Sequence, residues 1–139
     1  MAYVNATINI NGYDTFQSDA AAAIALYQRC HFSTTADNNG AKPTLLVSGI
    51  ADRATVIAME PIAISTATVF NFGTCRFLNA QGEQYGLASG TIGVGAAVYS
   101  AASGKLSTSS GGGAILLGIA TSAGYDGGPF TWLPETPIA

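Results

Sequence analysis

From Thr44 onward the chain is cut into apolar runs too short for a long helix. They cover residues 44–50, 55–62, 68–72, 75–79, 84–88, 96–101, 114–121 and 129–133, and most are bounded by Gly, Asn, Asp or Ser. Runs of this kind, recurring every 8 to 12 residues or so, are the signature of short antiparallel strands joined by tight reversals. The 17 glycines fall mostly in this half, where such reversals need positive φ. The fold expected is mainly β: a compact antiparallel sandwich or barrel. Ser103-Gly104 predicts a hairpin or bulged turn, and 107–113 a polar loop.

The N-terminal part reads differently. Val4, Ala6, Ile8 and Ile10 alternate with Asn5, Thr7 and Asn9, a half-buried strand that stops at Asn11-Gly12. Ser18 then serves as an N-cap, with Asp19 in the first turn and an Ala-rich stretch to Leu26, predicting one short N-terminal helix. Strand-like pattern resumes over 27–33. At the other end, Pro134 and Pro137 predict that the chain from Trp132 runs extended over a surface, outside any central strand.

A chain of 139 residues has room for one domain. The expected organisation is an N-terminal arm at 1–17, a β-rich domain at 18–134 and an extended C-terminal tail at 135–139. No internal repeat of solenoid length is evident.

Charge is the odd quantity. Five Lys+Arg and eight Asp+Glu make 9% of residues, against about 25% in ordinary domains. A surface so poorly ionised is kept in solution by Ser, Thr, Asn and Gln, or is covered by partners. A net charge of −3 without a basic cluster argues against nucleic acid. No apolar run approaches a bilayer span, and the first residues lack the pattern of a secretory signal, so synthesis in the cytoplasm is expected and no membrane partner. Cys30 and Cys75 are too few for a disulfide scaffold and read as buried thiols.

Site chemistry is sparse. His31 stands alone, and Cys30 beside it would face the opposite side of an extended strand, so no Cys-His pair forms there. The carboxylates are scattered through turns. Gly93-Val94-Gly95 lacks the third glycine of a dinucleotide loop, and Gly104-Lys105-Leu106 lacks the hydroxyl of a phosphate loop. No enzyme, no metal and no cofactor are expected. The aromatic residues Tyr3, Tyr13 and Phe16 lie in a segment with little core of its own. Together with Ile8 and Trp132, which reads equally as closing the end of the β core, they are the candidates for contact with capsid or subunits.

The order Gly95-Ala96-Ala97-Val98-Tyr99, then Gly104-Lys105, then Leu117-Gly118-Ile119-Ala120 and Phe130-Thr131-Trp132 resembles the bacteriophage capsid cement (decoration) proteins. The Ala23 to Arg29 stretch is similar to a second segment of that family. The resemblance implies a β-rich structural protein, a homotrimer that binds the outer capsid surface of the virion between major capsid protein subunits and reinforces the shell. Arms at both ends would suit that role. A different class is also open: a receptor- or carbohydrate-binding β module of a phage fibre or adhesin, with Tyr85, Tyr125 and Trp132 stacking on sugar rings.

Overall fold

The computed structural model describes residues 12–19, 22–80 and 82–135. Among these residues there are ten strands: β1 (Tyr13–Gln17), β2 (Arg29–Ala36), β3 (Pro43–Val47), β4 (Val56–Ala58), β5 (Phe72–Phe77), β6 (Gln84–Leu87), β7 (Ala97–Ser100), β8 (Leu106–Ser107), β9 (Leu116–Ala120) and β10 (Pro129–Pro134). They form two five-stranded antiparallel sheets, ordered β1-β5-β4-β2-β3 and β6-β10-β9-β7-β8. Each sheet curls until its outer strands meet at one parallel bridge, Ser18 to Leu45 in the first and Ala88 to Leu106 in the second.

The mainly β expectation therefore holds, and most of the expected runs contain a strand. The N-terminal helix does not form. Ile24 exchanges both backbone bonds with Ile62, at 2.9 and 2.8 Å, and Tyr27 N–H donates to the Ala58 carbonyl at 2.7 Å. Those tertiary bonds take the groups a helix would need, and two or three Ala-rich turns alone are marginal in water. Among the described residues the helical structure is one 3₁₀ turn, Ala102–Gly104. It closes the expected β7–β8 hairpin, with positive φ at Ser103 and Gly104.

Two boundaries also move. Residues 13–17 are not an arm but β1, paired along its length with β5. The chain from Trp132 to Pro134 is not a surface strap, because β10 lies between β6 and β9. Its prolines occupy the first and last strand positions, Pro129 and Pro134, and pairing with β6 stops at Trp132, so the missing N–H groups break no interior rung. The run at 68–72 is mostly loop, held by the Thr66 hydroxyl accepting from Val69 N–H at 3.0 Å.

The two sheets share one topology, and several of their hydrogen bonds correspond pair by pair. Asp19 N–H to Leu45 O matches Ser89 N–H to Leu106 O. Tyr27 to Ala58 matches Gly95 to Ala120, and the Ile24–Ile62 exchange matches Ile92–Gly124. The ladders agree in register: Arg29, Ile57 and Arg76 lie in one row, as Ala97, Ile119 and Leu133 do. The chain is thus two copies of one five-stranded unit in tandem. This corrects the expectation of no repeat. Loops of unequal length shift the spacing continuously, and few residues stay the same. Ile24/Ile92, Leu45/Leu106, Ile57/Ile119, Ala58/Ala120 and Thr74/Thr131 are among those that do.

Each unit has its own core. Phe16, Ile24, Leu45, Val56, Ile62 and the two cysteines fill the first. Ile92, Val98, Leu106, Phe130 and Trp132 fill the second, and Ile57 from the first unit's β4 joins them. Alternation along β4 explains the division: Val56 and Ala58 point into their own unit, while Ile57 points into the neighbour.

Candidate functional site: an uncharged sheet face and its covered twin

Most of the carboxylates serve the fold as hydrogen-bond acceptors or ion-pair partners. Asp37 accepts from Asn39 and Ala41 N–H, Asp52 from Gly49, Glu60 from Thr74 and Asp126 from Gly90. The Thr74 bond holds the Glu60 carboxyl below its ordinary value. Asp14 pairs with Lys42 at 2.6 Å, and Asp19 accepts from Ser33 at 2.8 Å. His31 Nδ1 lies 3.0 Å from the Ser48 hydroxyl, with Cys30 buried on the other face of the strand. Burial pushes the Cys30 and Cys75 thiols up to about 12. Among the described residues no group of three or more His, Cys, Asp or Glu is placed to hold a metal, and no helix is long and apolar enough to cross a membrane.

The expected contact residues divide three ways. Tyr3 and Ile8 lie outside the described residues. Tyr13 is half-buried on β1, with the Arg76 guanidinium 5.7 Å from its ring centre. Phe16 and Trp132 are core residues and offer no surface, which corrects their assignment. Phe16 packs between Phe32 and Phe77 at 5.3 and 6.1 Å. Trp132 donates its Nε1–H to the Tyr85 carbonyl at 3.1 Å. Nor is Tyr85 a bare stacking platform, for Tyr27 lies parallel to it at 4.6 Å. Tyr125 is well exposed.

What the structure exposes instead is a sheet face. None of the residues of β6 to β10 is charged. Ala97, Ile119 and Leu133 sit directly opposite one another across β7, β9 and β10, all on the outer side; Ile119 and Leu133 are 42% and 48% exposed. At the end of β9 and β10 a cleft of about 490 Å³ is lined by Leu78, Leu116, Leu117, Leu133 and Pro134, with Arg53 and Glu135 among its other residues. The alternation of β9 and β10 was legible in sequence as strand, but not which side the fold leaves open.

The equivalent face of the first unit is covered. Arg29 is fully buried, with Nε donating to the Lys105 carbonyl at 3.2 Å and Nη2 to the Ala101 carbonyl at 3.0 Å. Desolvation lowers its pKa to about 10. Gln28 Nε2 donates to the Ser103 carbonyl, and Arg76 donates to the Glu83 carbonyl. This face of the first unit therefore rests on the seam of the second, where the start of β6 meets the β7–β8 hairpin.

Against known proteins, no family model matches the chain, and no curated protein matches it. A solved structure does match. The chain is similar in fold to the N base of head fiber gp8.5 in bacteriophage phi29. The two superpose with a TM-score of 0.67, covering 91% of this chain and 98% of the N base, at 12% sequence identity. The likeness to the N base is one of architecture, spanning both tandem units.

Proposed function

We propose that this protein is a structural component of a phage virion, seated on the outer capsid surface between major capsid protein subunits. The observation that carries the reading is the fold shared with a head fiber base along nearly the whole of both chains. Two further features support it. The sequence from Gly95 to Trp132 resembles capsid cement proteins, and carboxylates that could have formed an acid–base site serve as turn and backbone acceptors. A protein that binds the assembled lattice better than its free subunits stabilises the lattice by mass action. Several such contacts held in one homotrimer would reinforce one another through effective concentration. Tyr3, Ile8 and Tyr13 remain the proposed capsid contacts.

The fold likeness favours one neighbouring reading, a base that seats a fibre on the head. Both readings require binding to heads. The test is co-sedimentation of purified protein with expanded, protein-stripped heads, followed by heating to measure genome release. Saturable binding that raises the release temperature supports the shell-reinforcing role; saturable binding with unchanged release favours the fibre base. Absence of binding at micromolar protein, with capture on a glycan array, overturns both in favour of a carbohydrate-binding module.

A further inference from the structure

The tandem units make a comparison within one molecule. On the first unit Arg29 and Ile57 of the Arg29–Ile57–Arg76 row are buried against the second unit, with Ile57 inserted into its core, and half-buried Arg76 donates to the second unit's Glu83 carbonyl. On the second unit the matching row, Ala97–Ile119–Leu133, is open to solvent. The same backbone surface is thus used as a docking face once and left vacant once, and the vacant version has lost both arginines.

The surface that receives the first row is also present twice. On the second unit it consists of the start of β6 and the β7–β8 hairpin, residues 83–85 and 100–105. The register places its counterpart on the first unit at residues 13–15 and 32–44. Among the described residues nothing covers that counterpart. Phe32 is 39% exposed there, and an open groove of about 450 Å³ is lined by Thr15, Asp37, Asn39, Ala41, Lys42 and Phe72. Among the described residues, one molecule therefore presents an open docking face on its second unit and an open receiving seam on its first.

We propose that the Ala97–Ile119–Leu133 face docks on the first-unit seam, at Thr15 and Phe32, of a second copy of this chain. The contact repeats between molecules the packing already made within one. Such a head-to-tail contact is heterologous, and copies joined by it close into a ring when the rotation per step allows. A ring of chains would then be a ring of twice as many units. The face itself carries no charge, and the seam it would cover presents Lys42 already paired with Asp14 and Asp37 already accepting backbone N–H groups, so docking strands no unmatched ion of either surface. This deepens the self-association included in the proposed function and rests on that part of it.

Analytical ultracentrifugation of the full chain tests the idea with two variants at exposed positions, Ile119→Glu on the face and Thr15→Glu on the seam. Circular dichroism and thermal melting verify that both fold as the wild type does. The wild type is expected to sediment well above 14.1 kDa, and each variant at that monomer mass. Mixed, the two variants should form a heterodimer, because each retains one intact surface. Three outcomes overturn the proposal: a monomeric wild type at millimolar concentration, an Ile119→Glu protein that assembles normally, or no complex on mixing. A further pair of variants, Leu133→Glu with Ala41→Glu, repeats the test should either first variant fail to fold. Monomers that still coat expanded heads overturn this inference and leave the virion reading intact. An intact oligomer that ignores heads does the reverse.

Discussion

Ile57 and Ile119 hold the same position in two copies of one unit, and burial separates them: the first is fully buried, the second 42% exposed. Ile57 faces Arg76 across β4 and β5 as Ile119 faces Leu133 across β9 and β10. Identical side chains on identical ladders thus do different work, one welding two units and one lining a free surface. Truncating a buried Ile removes transfer energy and leaves a cavity, at a cost of about 2–5 kcal/mol. Ile57→Ala should fall in that range in urea denaturation, and Ile119→Ala within about 1 kcal/mol of wild type for the monomer. Equal losses would mean that the units do not pack as described.

Arg29 serves the same junction by a different means. Its donors satisfy the carbonyls of Ala101 and Lys105, more than seventy residues away in the chain. The Lys105 carbonyl also accepts from Ala101 N–H, so Arg29→Leu leaves the Ala101 carbonyl without its partner, and a buried group left so costs about 1–3 kcal/mol. A loss of that size is expected from urea midpoints at constant slope. An unchanged midpoint would show that water reaches the Ala101 carbonyl.

Backbone approach limits Gly118. A Cβ there would lie 2.0 Å from the Leu133 carbonyl oxygen, so β9 and β10 would have to part. Gly118→Ala should lower stability by about 3 kcal/mol or more. Gly93→Ala, where a Cβ meets nothing within 4 Å, should change it by less than about 0.5 kcal/mol. Thermal melting of the two variants side by side decides the matter.

The buried thiols set an alkaline limit. Cys30 and Cys75 are raised from 9.0 to about 12 in the fold, so above pH 9 the folded state holds protons that the unfolded state has released. That stability is fully present below pH 9 and declines as pH climbs toward 12. Arg29, lowered from 12.5 to about 10, acts with the opposite sign but only above pH 10. Between pH 9 and 10, urea midpoints of wild type should therefore fall more than those of a Cys30→Ala/Cys75→Ala double variant. At pH 8 the native protein should not react with a thiol-specific disulfide reagent, and in denaturant two thiols should titrate.

Sequence alone determined the strand-forming pattern. Alternation in 84–87 and 129–133, the Gly-bounded runs and the Ser103-Gly104 reversal are local signals, and local backbone preferences produced those elements. It also determined the scarcity of charge, hence a surface suited to being covered. Tertiary structure decided what local signals do not carry. The Ala-rich stretch before Leu26 favours helix by itself, but Ile62 and Ala58 capture its backbone groups from across the sheet. Phe16 and Trp132 read as surface aromatics because the strands that bury them are distant in sequence. The duplication is held in hydrogen-bond register, which tolerates almost any side chain, so the repeat is plain in the ladders and faint in the residues. Which of two equivalent faces is covered depends on how the units stack, a long-range choice that no window of sequence contains.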